Sequence, residues 1–332
     1  MTEPNIDRHR AEFPTLASGI HLLSHSLGPV PRAARESLLA YYEAWEQHTS
    51  EDAWAASWWE LSQQVGDRIA HILGGAPGSV QIQPNASIAL ASVASCFDFA
   101  STKRNKVVTS ALDFPSMEYI WEAQRALGAK VEIVGSPDGI IVPLENILAA
   151  IDDTTSLVAM SHTSFRSSYR VDAKAIVRRA HNVGALVLLD VYQSAGSIEL
   201  DASIWDVDFL IGGTIKWLCG GPACGYLYVR PDLQRDLHPR LTGWVAHHAP
   251  FDFAHSPMRY ARSVRRFAQG TPSIPALYSA LPGLQILEKV GARNNRKRIS
   301  PPNGMDDSVC SGTRMENKQP KRRQRARGFS ND

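Results

Sequence analysis

Cysteine is scarce in this chain. The four residues, Cys96, Cys219, Cys224 and Cys310, are too few and too scattered for a disulfide framework. Cys219 and Cys224 stand five apart rather than two, and no second Cys/His pair completes a zinc site. His247, His248 and His255 lack a carboxylate or cysteine at ligand spacing, so no metal is expected. The opening MTEPNIDRHRAEFPTL has no apolar core of signal-peptide type, and no stretch reaches membrane-spanning length. A cytoplasmic protein with no membrane partner is the expectation. An overall charge of one sign is also missing, since the formal net is only +2. That balance hides a division. From Arg293 to Asp332 eleven Lys/Arg face four Asp/Glu, a net of +7 that leaves residues 1–292 at −5.

What is present describes an ordinary globular protein, with 44% hydrophobic and 20% charged residues. A length of 332 residues suits one large domain plus a smaller one. SHSLGPVPRAARE (24–36) reads as a Gly-Pro turn followed by a helix start, Pro31 suiting a first helical position. Trp45, Trp54, Trp58 and Trp59 fall at helical spacings and are expected in core or subunit interface. Farther on, helical stretches near 60–74, 87–100, 115–128 and 172–184 alternate with short apolar runs. The runs are VQIQ (80–83), KVVTS (106–110), KVEIV (130–134), SLVAM (156–160), ALVLLD (185–190), VDFLIG (207–212) and GYLYV (225–229). Such runs suit strands buried on both faces of a mainly parallel, seven-stranded α/β sheet with helices on both sides. After Val290 apolar periodicity stops. The cluster KRRQRAR (321–327) has a nucleic-acid-binding composition, but a solvated, disordered tail that binds no nucleic acid is the expectation. The expected division is therefore an N-terminal arm and helix (1–45), a large domain (46–245), a connection opening a small domain (246–290) and a basic tail (291–332).

Ligands in such sheets sit beyond the carboxyl ends of the strands, so the chemistry is expected just past each run. VQIQPNASIAL turns through Pro84-Asn85 and opens a helix near Ser87, where free N–H groups could receive a phosphate or Asn85 could simply cap. VTSALDFPSMEYI presents Phe114, which could stack on a flat ring or fill core. ALVLLDVYQSAG places Asp190 after an apolar strand, where a carboxylate needs a cationic or hydrogen-bonding partner. A protonated pyridine nitrogen is one such partner, with Gln193 close enough to reach a phenolic oxygen; a helix cap or ion pair is the alternative. VDFLIGGTIKWLCGGPACGYLYV sets Lys216 past another apolar strand among glycines, a setting that depresses an amine's pKa.

LLDVYQSAG followed by DVDFLIGGTIKWLCGGPACGYLYVR resembles the signature of class V aminotransferase-like enzymes that use pyridoxal 5′-phosphate (PLP). Within that family the chain is most similar to kynureninases. SHSLGPVPRA, DFPSMEYI, LTGWVAH (241–247) and GTPSIPAL (270–277) resemble further kynureninase segments, over residues 20–288. The resemblance implies PLP-transferase fold type I, with Lys216 as the Schiff-base lysine, Asp190 on the pyridine nitrogen and Phe114 stacked on the ring. Ala86 and Ser87 would hold the phosphate, with Thr214 and Trp244 as helpers. Thr271 would reach a phosphate from the neighbouring subunit of a homodimer with shared active sites, and Ser161 and Gln193 would lie at the ring's polar edge.

Hydrolysis of the Cβ–Cγ bond of kynurenine is the activity implied. Two positions depart from the kynureninase pattern: Gln193 stands where His is usual, and Ile215 where a tyrosine precedes the lysine. Another class V reaction on an amino acid (transamination or β-elimination) therefore stays open. So does a silent PLP-binding protein, because the family's small domain should begin near Leu277 and no arginine of the tail matches its carboxylate-binding position. On that reading the small domain is incomplete, and apolar surface between Leu277 and Leu287 should be exposed.

Overall fold

The computed structural model describes residues 6–48 and 50–291. The basic tail beyond Gly291 lies outside the described residues, and with it the expectations placed there. Each of the seven apolar runs forms a strand: β1 (Val80–Gln83), β2 (Lys106–Ser110), β3 (Lys130–Val134), β4 (Thr155–Ser161), β5 (Leu186–Asp190), β6 (Phe209–Gly213) and β7 (Gly225–Val229). They make one sheet in the order β1-β7-β6-β5-β4-β2-β3. The pairs β2·β3, β2·β4, β4·β5 and β5·β6 are parallel, and β7 runs antiparallel to both β6 and β1. No helix among the described residues is long and apolar enough to cross a membrane.

The helices are α1 (Ala33–Gln47), α2 (Ser50–Ala53), α3 (Trp59–Ile72), α4 (Ala86–Ala94), α5 (Pro115–Arg125), α6 (Leu144–Ala150), α7 (Ala173–Asn182), α8 (Ala202–Trp205) and α9 (Ile274–Val290). Successive strand residues point to opposite faces, so each central strand feeds two cores. Val158, Met160, Tyr226 and Tyr228 pack with α3, α6, α7 and α9 on one side. Leu157, Ala159, Leu227 and Val229 pack with α4 and α5 on the other.

Two expectations need correction. Unlike β1 at the opposite edge, which is largely covered, β3 is not buried on both faces: only Val134 is enclosed. Its Glu132 instead pairs with Lys106 Nζ at 3.1 Å, a lysine that also reaches Asp152 at 2.7 Å and the Ala150 carbonyl at 2.6 Å. Secondly, the stretch from Leu277 to Leu287 does not present an open apolar face. Leu277, Ala280 and Leu284 are buried in the core shared with α3, and α9 packs on both α1 and α3. Ser37 Oγ donates to the Tyr278 carbonyl at 2.6 Å, and Arg68 pairs with Glu288. The four tryptophans divide between core and surface. Trp58 is buried and stacks on Tyr41 at 5.6 Å, whereas Trp45 is 58% exposed.

Candidate active site

The carboxyl ends of β1, β2, β4, β5 and β6 open on one cavity of about 230 Å³. At the end of β1 the chain turns and starts α4, where Asn85 Oδ1 accepts from Ile88 N at 2.9 Å. The cap satisfies one of the helix's free donors and leaves the backbone at Ala86 and Ser87 facing the cavity. Gly225 on β7 makes this turn possible: a Cβ there would lie 2.5 Å from the Asn85 backbone. The N-terminus of a nine-residue helix carries partial positive charge and attracts an anion.

Beyond β2, Asp113 holds the next turn. Its Oδ2 accepts from Thr109 Oγ1 at 2.7 Å and Ser110 N at 2.9 Å, and its Oδ1 accepts from Ser161 N at 2.6 Å. The carboxylate thus ties the end of β2 to the end of β4 and sets the direction of Phe114, the next residue. Phe114 is 43% exposed, its ring lining the cavity and meeting Phe165 edge-on at 5.1 Å. Its exposed ring leaves an aromatic face on the cavity wall.

Asp190 ends β5 on the same floor. It is buried, and its Oδ1 accepts from Tyr192 N at 2.8 Å. Burial pushes its carboxyl up to about 6, with the Asp113 charge adding to the rise. The Tyr192 hydrogen bond and the Lys216 charge pull the other way. Lys216, just past β6, lies with Nζ 4.4 Å from the Tyr192 ring and 5.6 Å from the Phe114 ring. Burial holds its amine below the ordinary lysine value, and Asp190 opposes that shift. An amine of depressed pKa is nucleophilic near neutrality.

Of the residues singled out in the sequence, Ala86, Ser87, Phe114, Ser161, Asp190, Gln193 and Lys216 line this cavity. Gln193 has both ends of its amide engaged: Nε2 donates to the His25 carbonyl at 3.0 Å, and Oε1 accepts from Trp217 Nε1 at 2.9 Å. It ties the N-terminal arm to the loop after Lys216. Three residues do not line the cavity. The Thr214 hydroxyl is buried and donates to the Gly221 carbonyl at 3.0 Å, so it is turned away. Trp244 belongs to an aromatic group with Trp59 at 6.0 Å and Phe251 at 5.9 Å. Thr271 lines a second cavity beside Trp59, Gln83 and Arg265. Sequence reading missed Asp113, Tyr192 and Gly28. For Asp113 the signal was present, a carboxylate directly before Phe114 at a strand end. Gly28 is a tertiary matter: its N–H donates to the Ile215 carbonyl at 2.8 Å, and a Cβ there would overlap the Lys216 carbonyl oxygen.

An anion-binding helix end, an exposed aromatic face, an amine and a buried carboxylate short of positive charge define one kind of occupant. It is flat and aromatic, anionic at one end and basic at the other. The architecture around it is fold type I of the PLP-dependent enzymes, seen in two solved structures. The cysteine desulfurase CsdA of Escherichia coli matches with a TM-score of 0.75 at 20% identity, over 87% of this chain and 73% of that one. A C-DES mutant with glycine covalently linked to its PLP cofactor matches with a TM-score of 0.78 at 20% identity, over 87% and 77%. The chain belongs to the aminotransferase class-V family, which it matches over residues 20–301. It is 32% identical over 300 residues to the uncharacterized aminotransferase YcbU of Bacillus subtilis (strain 168), covering 88% of this chain and 76% of that protein. It is also 32% identical over 252 residues to the kynureninase of Pseudomonas fluorescens, covering 73% of this chain but only 59% of that enzyme. Pyridoxal 5′-phosphate is the cofactor, and the residues around the cavity fit it.

Proposed function

We propose that Lys216 carries the cofactor and that the substrate is an amino acid, with kynureninase-type hydrolysis of a Cβ–Cγ bond as the reaction. The convergence of Lys216, Asp190, Phe114 and the α4 N-terminus on one cavity carries the reading. Ala86 and Ser87 would hold the phosphate, Phe114 would cover one ring face, and Asp190 would keep a proton on the pyridine nitrogen. Ser161 and Gln193 would stand at the polar edge of the ring. When bound, the cofactor withdraws electrons from the substrate's α-carbon. Lys216 would take the α-proton, its amine being kept basic enough by Asp190 and reactive enough by burial.

Phe165, Met117, Leu90 and Ile211 give the rest of the wall an apolar lining suited to an aryl side chain such as that of kynurenine. A second reading, transamination or β-elimination, is favoured by Gln193 and Ile215, which depart from the kynureninase pattern. A silent PLP-binding protein is the remaining alternative. A homodimer with shared sites is part of the proposal, because Trp244 and Thr271 lie outside their own chain's cavity. The exposed Ile20, Leu22 and Leu23 of the arm supply apolar surface for it.

The test begins with the absorption spectrum and borohydride reduction of the purified chain, which should fix the cofactor to the peptide carrying Lys216. Lys216→Ala should abolish that fixation. Incubation with kynurenine should then yield anthranilate and alanine. Amino-group transfer to a 2-oxo acid without anthranilate would move the assignment to the second reading, and reduction onto another peptide would remove Lys216 from its role.

A further inference from the structure

Ile215 leaves the position before the lysine without an aromatic ring, yet a tyrosine stands against the amine from another strand end. The Tyr192 ring centroid is 4.4 Å from Lys216 Nζ, nearer than the Phe114 ring at 5.6 Å. Tyr192 is held from two sides. Its N–H donates to Asp190 Oδ1 at 2.8 Å, which fixes the backbone. Its hydroxyl occupies the space beside Gly213 that any Cβ would fill, so a glycine on β6 is the condition for the ring's position. Gly212, one residue earlier, makes the same room for the hydroxyl of the buried Tyr226. The Gly-Gly pair that ends β6 therefore accommodates two phenols, one of which faces the reactive amine.

We infer that Tyr192 is a catalytic residue whose ring face holds the proton on Lys216 Nζ after the lysine has taken it from the substrate. This rests on the reading of Lys216 as the cofactor lysine. In that step the substrate's α C–H bond breaks and an N–H bond forms on Nζ. The electron pair stays with the cofactor-bound substrate, and the proton is later returned. The ammonium so formed stands in a cavity that disfavours charge. A π face attracts the ammonium and is indifferent to the neutral amine, so it selectively stabilises the protonated state.

The other groups that face this amine are few. Asp190 approaches from β5 with Asp113 behind it. Cys224, just before β7, and Tyr226 on β7 act on Tyr192 and Asp190 rather than on the amine, and burial keeps the Cys224 thiol up at about 12 and the Tyr226 phenol well above its usual value. The Tyr192 phenol is likewise pushed to about 12 by burial, so it presents a neutral ring near pH 7, not a phenolate. Asp190 is then the one formal charge set against Nζ among the described residues, and the Tyr192 ring is its nearest uncharged complement.

The experiment compares Tyr192→Phe, which keeps the ring and loses the hydroxyl, with Tyr192→Leu, which loses the ring, in the full chain. In cofactor-free protein, acetylation of Lys216 by acetic anhydride is followed by peptide mass spectrometry across pH. The Phe variant should titrate with the parent. The Leu variant should titrate lower by about 0.5 to 1.5 pH units, the range from an exposed to a desolvated cation–π contact. Should the Leu variant fail to fold, Tyr192→Met fills much of the volume without a π face and carries the same expectation. A Leu or Met variant that titrates with the parent overturns the inference, as does a Phe variant shifted as far as Leu. Borohydride labelling of the parent separates the two levels. Its failure at Lys216 removes the cofactor reading, whereas the titration still reports on the ring.

Discussion

Replacing Asp190 by asparagine should stabilise the cofactor-free protein while weakening its hold on the cofactor. The carboxyl is buried, and its pKa rises from 3.8 to about 6. A carboxyl raised on folding binds its proton more tightly in the folded chain than in the unfolded one. Below pH 3.8 both states are protonated, and the group imposes no penalty. Between 3.8 and about 6 the unfolded chain loses the proton and the folded chain keeps it, so stability falls with rising pH. Above pH 6 the loss is complete. A gap of ~2 units corresponds to roughly 3 kcal/mol at 1.36 kcal/mol per unit.

Asparagine keeps an oxygen for the Tyr192 N–H and carries no charge, so the variant should lack this slope. Urea unfolding of both cofactor-free proteins between pH 4 and pH 8 is the assay. The two curves should diverge as pH rises, with the variant ahead by up to about 3 kcal/mol at pH 8. Cofactor binding should move oppositely, because asparagine cannot pair with a protonated ring nitrogen. Parallel pH curves for the two proteins would refute the view of Asp190 as a charge held at a cost to the empty fold. Unchanged cofactor affinity would refute its pairing with the ring.

Two further variants probe how the site is assembled. Gly28→Ala drives a methyl into the Lys216 carbonyl, so it should free the arm to limited proteolysis and lower cofactor affinity while the sheet stays folded by circular dichroism. Asp113→Ala strips acceptors from Thr109 Oγ1, Ser110 N and Ser161 N; it should cost about 3 kcal/mol in urea unfolding, and Asp113→Asn should recover part of that.

The strands were legible because a parallel strand between two helical layers has no polar face to disguise it. β2, β4, β5 and β6 each hold an uninterrupted apolar stretch with polar residues only toward their ends, and the runs begin and end within two residues of the observed strands. β3 carried a similar pattern for a different reason. β3 keeps its β-branched residues without the cover that the other edge strand, β1, receives, and the charge of Glu132 in mid-strand was the clue. Strand direction was legible for the parallel majority but not for β7, which runs antiparallel to both of its neighbours. β7 reverses because the glycine-rich connection from β6 forms turns and no helix, whereas a parallel pair is usually joined by a helical crossover.

The site divides along the same line. Lys216 and Asp190 were visible because an apolar strand ending in Asp is followed by one ending in Gly-Gly-Thr-x-Lys, and Phe114 because its segment shares the resemblance that pattern carries. Gly28 and Tyr192 acquire their roles only in three dimensions. A glycine in a Ser-Leu-Gly-Pro turn looks like a turn residue until the arm is seen lying on the Lys216 backbone. A tyrosine two places after Asp190 looks like core until Gly213, on the next strand, is seen to leave room for it. Gln193 illustrates the converse. Its spacing from Asp190 suggested a group at the ring's edge, and it does line the cavity, but the fold also engages its amide with His25 and Trp217. That makes Gln193 a strut between the arm and the lysine loop. The arm and Gln193 therefore act on the same short loop, Gly28 on the Ile215 and Lys216 carbonyls and Gln193 on the Trp217 indole. A site whose reactive amine is positioned by an N-terminal segment should lose cofactor before it loses secondary structure when that segment is perturbed.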